Sequence, residues 1–176
     1  MIKKEAKKPF VIWFLGLSGA GKSTIADLIQ KRLNELSIKS ERLDGDIVRE
    51  IFPQTGFSKE DRLEHNRKTA WLASILERNG VSVVSSFISP YQESRDYTRS
   101  ICKNYIEVFV ATSLEECEKR DVKGLYKKAR SGEIKNFTGI DDPFDIPKKS
   151  DLTIYTEGKS PEESTNEVMD FLKNYL

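Results

Sequence analysis

The eight residues Gly16-Leu17-Ser18-Gly19-Ala20-Gly21-Lys22-Ser23 constrain this chain more than any other stretch. They fit G-x-x-x-x-G-K-[ST], a glycine-rich loop whose successive backbone N–H groups point at one anion. Such a loop needs a buried strand before it and a helix after it. Both flanks comply. Phe10 to Leu15 is an unbroken apolar run, as in a strand covered on both faces. Ile25, Leu28, Ile29 and Leu33 recur at helical spacing. In this setting Lys22 reaches the β- and γ-phosphates of a nucleotide, and the Ser23 hydroxyl holds Mg²⁺. The first helical turn, with Thr24, adds its partial positive charge. The alternative is an empty glycine-rich turn, and four fixed positions arise by chance in well under about one such chain in fifty.

The 176 residues suffice for one domain, 1–176, with a sizeable core. Lys and Arg number 29 against 28 Asp and Glu, which gives no argument for nucleic-acid or membrane-surface partners. No apolar run approaches the length of a membrane span. The basic start, Met1 to Lys8, lacks the apolar region of a signal peptide and reads as a solvated tail. Cys102 and Cys117 lack metal-ligand spacing and read as free thiols. The expectation is a cytoplasmic protein.

Further strands are expected over Ile38 to Leu43, Val81 to Ile88, Tyr105 to Val110 and Leu152 to Tyr155. Helical stretches are expected over Ile47 to Phe52, from Ser58 to about Asn79, from Ser113, and over Pro161 to Leu176. Ser58 with Asp61, and Ser160 before Pro161, are the start signals, and Gly80 is a stop. Pro53 to Gly56 reads as a loop, and Pro90 as a turn or the first position of a helix. Strands alternating with helices predict an α/β fold, a five-stranded, mostly parallel sheet covered on both faces. Ligands then gather at the carboxyl ends of the strands. The chemical candidates fall there: the glycine loop, then Asp44 and Asp46, then Ser89. The segment from 120 to 147 is basic, contains glycines and shows weak periodicity. It reads as a lid that closes over phosphate charge, or else as a solvated loop.

Several stretches together resemble the adenylylsulfate kinases: Gly16 to Ser23, Leu43-Asp44-Gly45-Asp46, Phe57-Ser58-x-x-Asp61-Arg62 and Phe87-Ile88-Ser89-Pro90. So do Arg120-Asp121-x-Lys123-Gly124-Leu125-Tyr126-Lys127-Lys128-Ala129-Arg130 and Gly132 to Pro143 with its Phe137-Thr138-Gly139-Ile140. The resemblance implies a three-layer α/β/α P-loop kinase fold and transfer of the γ-phosphoryl of ATP to the 3′-hydroxyl of adenylyl sulfate, with Mg²⁺. It implies Asp46 as catalytic acid–base and, with Ser23, as a metal-associated group. Lys22 joins it in catalysis. Ser89 stands where a phosphoserine was once assigned to the family, a role that direct in-line transfer does not need. Asp44 reads as a group positioning metal waters, and either aspartate reads alternatively as a helix cap. Arg49 and Arg62 are expected on the acceptor's anionic linkage, where a bidentate fork suits. Phe57 and Phe137 are expected to sandwich its base, with Ile88 nearby. Lys123 faces the phosphates, and Arg120 and Arg130 support the ATP side. The resemblance leaves room for a homodimer.

The match departs on the acceptor side. Many members carry Asn-Ile-Arg-Arg where this chain has His65-Asn66-Arg67-Lys68, and the stretch from Arg49 to Phe57 is short. His65 is therefore either an acceptor-tuning residue or a surface residue of its helix. Two other functions remain to compare: the same chemistry on cytidine diphosphoramidate, and a non-catalytic nucleotide-binding module. Intact Lys22, Ser23 and Asp46 argue against the module.

Overall fold

A computed structural model describes residues 8–52 and 56–176. The expected basic tail over 1–7 and the loop residues 53–55 lie outside the described residues. The elements are β1 (Val11–Leu15), α1 (Lys22–Glu35), β2 (Ser40–Asp44), α2 (Gly45–Ile51), α3 (Lys59–Arg78) and β3 (Ser82–Ser86). There follow α4 (Gln92–Ile101), β4 (Tyr105–Val110), α5 (Leu114–Arg120), α6 (Leu125–Arg130), β5 (Leu152–Ile154) and α7 (Pro161–Leu172). The sheet order is β2-β3-β1-β4-β5, and every pairing is parallel.

The apolar run of β1 explains the layering. Phe10, Ile12 and Phe14 pack into one core with Ile25 and Ile29 of α1 and Val168 and Leu172 of α7. Val11, Trp13 and Leu15 pack into the opposite core with Ala70 and Ala73 of α3, and Tyr97 and Ile101 of α4 lie against it. A strand with no polar face has to be covered twice, so the helices divide between two sides.

Local signals set the helix ends. Ser58 and Asp61 form a reciprocal capping box at the start of α3, and Ser160 and Glu163 do the same for α7, with Pro161 in its first turn. Gly80, with φ 81°, stops the chain just past α3. Other ends moved. Helix α2 starts at Gly45 because the Asp44 side chain accepts from Asp46 N and caps it. Pro90 lies in the turn before Tyr91, the N-cap of α4, and not inside that helix. Strand β2 begins at Ser40, two residues later than expected, and α7 ends at Leu172. Helix α6 lies within the expected lid. Among the described residues, no helix is long and apolar enough to cross a membrane.

Candidate active site

The glycine loop leaves β1 with Gly16 at φ 145°, where a Cβ would come within 2.5 Å of the Val110 carbonyl oxygen. Only glycine fits there. The loop is braced from behind. Thr112 and Thr156 hydroxyls donate to the Ala20 carbonyl at 3.0 and 3.2 Å, and Arg120 holds Thr156 Oγ1 at 3.0 Å. The Ile88 carbonyl accepts from Gly16 N, which ties the end of the third strand's loop to the glycine turn.

Lys22 opens α1 and is 8% exposed. Its ammonium donates to the Leu17 carbonyl at 2.6 Å, so it curls back along the loop where a phosphate would lie. Burial, with Lys123 adding repulsion, pushes its pKa down to about 8. Beside it, Ser23 Oγ is 3.0 Å from Asp44 Oδ2 and 3.2 Å from Ser86 Oγ. Asp44 also accepts from Ser86 and Arg42 on Oδ2 and from Asp46 N on Oδ1. Although burial opposes it, these hydrogen bonds and Arg42 hold its carboxyl below the usual range.

Asp46, in the first turn of α2, is different. Its side chain is 72% exposed and pairs with Lys123 from the lid. Of the two aspartates, the one hydrogen-bonded to Ser23 is Asp44, while Asp46 faces the basic segment. A hydroxyl and a carboxylate are hard oxygen donors. Among the described residues no group of three or more His, Cys, Asp or Glu could hold a metal. That sparse donor set suits Mg²⁺, which keeps waters and nucleotide phosphates as its remaining ligands.

On the acceptor side, the Arg49 guanidinium lies 4.6 Å from the Phe57 ring centroid, and its Nη1 donates to the Gly56 carbonyl. Phe57 is largely exposed. Phe137 is not a free loop ring: it sits edge-on to Tyr126, centroids 5.0 Å apart, and packs against the α1 core. Arg62 joins the two aromatic arms. It donates to the Phe57 carbonyl, Thr138 Oγ1 and the Asn136 carbonyl. Arg62 is a buried tie between the arms, with three of its five N–H donors engaged by these protein acceptors.

His65 is 4% exposed, so the surface-residue alternative fails. It tilts against Phe87, and neither ring nitrogen has a hydrogen-bond partner. Burial first, then Arg49 and Lys68, pushes its pKa down to about 4, which leaves the ring neutral. Ser89 is also corrected. It is 3% exposed, at φ 44°, with its hydroxyl accepting from Trp13 Nε1 at 2.9 Å and donating to Asn66 Oδ1. An oxygen committed to two buried partners is a packing element, not a catalytic nucleophile.

The lid is docked. Tyr126 OH donates to the Ser18 carbonyl at 2.9 Å, Lys123 meets Asp46, and Gly139 lies over Leu17. Asp121, at φ 22°, caps α6 by accepting from Tyr126 N and Lys127 N. Arg130, expected on the ATP side, instead pairs with Glu118 on an exposed surface. A cavity of about 790 Å³ lies beside the loop, between Leu17, Phe109 and Phe144, and of the loop's polar bracing only Thr112 lines it. Sequence reasoning missed Arg42, Ser86, Tyr126 and Thr156. Ser86 and Thr156 carried a signal as hydroxyls at strand ends, and Tyr126 lies within the stretch that resembles the family.

Comparison with known proteins follows the same lines. A family model described as Adenylylsulphate kinase matches residues 8–155. The adenylyl-sulfate kinase of Halothermothrix orenii is 47% identical over 173 residues, spanning 97% of this chain and 94% of that one. The probable adenylyl-sulfate kinase of Pseudomonas aeruginosa is 50% identical over 161 residues, 91% of this chain and 75% of that one. The solved structure of the Mycobacterium tuberculosis APS kinase, in complex with AMPPNP and APS, superposes with a TM-score of 0.90 at 41% identity, covering 94% of this chain and 98% of that one.

Proposed function

The chain belongs to the adenylylsulphate kinase family, and from that premise we propose that its site moves the γ-phosphoryl of ATP onto the 3′-hydroxyl of adenylyl sulfate. The products are 3′-phosphoadenylyl sulfate and ADP. The observation that carries the reading is the pair of aspartates at the end of β2, one bound to the loop serine and one to the lid lysine.

Asp44 is occupied by four hydrogen bonds, so its work is to hold Ser23 and the first turn of α2. Asp46 is exposed and touches a side chain that can leave, so it is the acid able to take a hydroxyl proton. The 3′-oxygen of the acceptor attacks the γ-phosphorus, the bond to the β–γ bridging oxygen breaks, and the hydroxyl proton passes to Asp46. Lys123, released from Asp46, turns to the phosphates. Lys22 exchanges the Leu17 carbonyl for phosphate oxygens. Mg²⁺ bound with the nucleotide supplies charge neutralisation at the β- and γ-phosphates, and Ser23, held by Asp44, would be its protein ligand. Phe57 and Phe137 take the acceptor base, Arg49 its anionic linkage, and neutral His65 the polar discrimination that stacking cannot provide.

A coupled ADP-release assay tests this, with adenylyl sulfate and cytidine diphosphoramidate side by side. Turnover with adenylyl sulfate is expected. Robust 3′-phosphorylation of the cytidine compound with adenylyl sulfate at background would overturn the acceptor and leave the kinase chemistry standing. Nucleotide binding without turnover on either would overturn both.

A further inference from the structure

We infer that Arg42 is a positioning residue for the nucleotide-bound metal, acting through Asp44 and Ser86 to aim the Ser23 hydroxyl. The inference rests on the kinase reading above. Arg42 lies on β2, and its side chain is 15% exposed. A guanidinium has five N–H donors, and all five are used. Nε donates to Asp27 Oδ1 at 2.9 Å, and Nη1 to the Leu43 and Val84 carbonyls at 2.9 and 3.3 Å. Nη2 donates to Asp44 Oδ2 at 3.1 Å and to Ser86 Oγ at 2.7 Å.

The protons can be followed from there. Ser86 Oγ accepts from Arg42, so its own proton goes to Asp44 Oδ2, 2.9 Å away. Ser23 has one proton, and its near acceptors are Asp44 Oδ2 at 3.0 Å and Ser86 Oγ at 3.2 Å. Either choice turns that proton into the network and leaves the oxygen's lone pairs outward. A hydroxyl can serve a metal only with its lone pairs so presented. Arg42 is what keeps the acceptor side in place, because it binds both Asp44 and Ser86 with one planar nitrogen. Without it, Asp44 loses its cation and Oδ2 loses one of its three donors, which loosens the acceptor that Ser23 faces.

The experiment compares ADP binding by calorimetry with MgCl₂ and with EDTA, for wild type, Arg42→Gln and Ser86→Ala. Wild type is expected to bind ADP more tightly with Mg²⁺. In Arg42→Gln that gain should fall by roughly tenfold, the lower range for losing a residue that orients a metal ligand, while binding in EDTA stays unchanged. Ser86→Ala should move the same way and carries the test should Arg42→Gln not fold. An undiminished Mg²⁺ gain, or an equal loss in EDTA and MgCl₂, would overturn the inference. A wild type with no Mg²⁺ gain would overturn the kinase reading itself.

Discussion

Asp44 and Asp46 stand two residues apart in different surroundings, and the proposed division of their work rests on that difference. Asp44 is held among Ser23, Ser86 and Arg42, while Asp46 lies open with Lys123 as its partner. Two carboxylates whose environments differ in this way divide structural and proton-transfer roles. Asp46→Asn keeps the shape and removes the base. Its kcat is expected to fall by roughly 10²-fold or more, with ADP affinity within about twofold of wild type. Single-turnover kinetics with a binding titration checks both numbers. A variant with normal kcat would take the proton-transfer role away from Asp46.

At the scale of elements, the segment expected as a lid rests Tyr126, Phe137 and Ile140 on the core and adds a few polar anchors. Tyr126 reaches the Ser18 carbonyl, Arg62 reaches Asn136 and Thr138, and Lys123 reaches Asp46. Such contacts open at low cost, as an element that admits substrate requires. Cleavage by trypsin between Lys123 and Lys135 is therefore expected in the free protein and suppressed by ADP with acceptor. Arg62→Ala should speed cleavage several-fold, because one guanidinium ties both aromatic arms. Equal rates with and without ligands would remove the lid role from this segment.

The whole molecule carries several buried titratable groups, and their signs set its pH range. His65 falls from its ordinary 6.5 to about 4, so the unfolded chain binds its proton first as pH drops, and stability is lost across that window. Lys22 falls from 10.5 to about 8, so its contribution is likewise lost as pH falls through that range. Cys102 and Tyr91 are held up to about 12, chiefly by burial, and Tyr126 is raised as well. Those three acids must stay protonated in the fold, and their contribution is lost as pH rises past about 9 to 10. Burial raises Tyr105 and Cys117 as well, and these five acids outweigh Lys22, so Tm should be highest between about pH 6.5 and 9, as scanning calorimetry across pH 4 to 10 would read it. A Tm still climbing at pH 10 would contradict this balance.

What lay in the sequence alone was whatever depends on neighbours along the chain. The glycine loop, the doubly covered strand, the Ser58 and Ser160 caps and the position of both aspartates at a strand end follow from local spacing and backbone sterics. Partnership across the fold did not. Arg42 shares a face of β2 with Asp44 by strand alternation, but Ser86 comes to both only because β2 and β3 pair in parallel register, which sets Asp44 beside Ser86. The sequence leaves His65 open between a tuning residue and a surface residue, and it is buried because α3 turns it onto Phe87. Ser89 sits at a chemically suggestive strand end, yet its hydroxyl is taken by Trp13, 76 residues away. A side chain's type and spacing are written in the chain, but which of its donors and acceptors remain free is decided by the partners that packing brings to it.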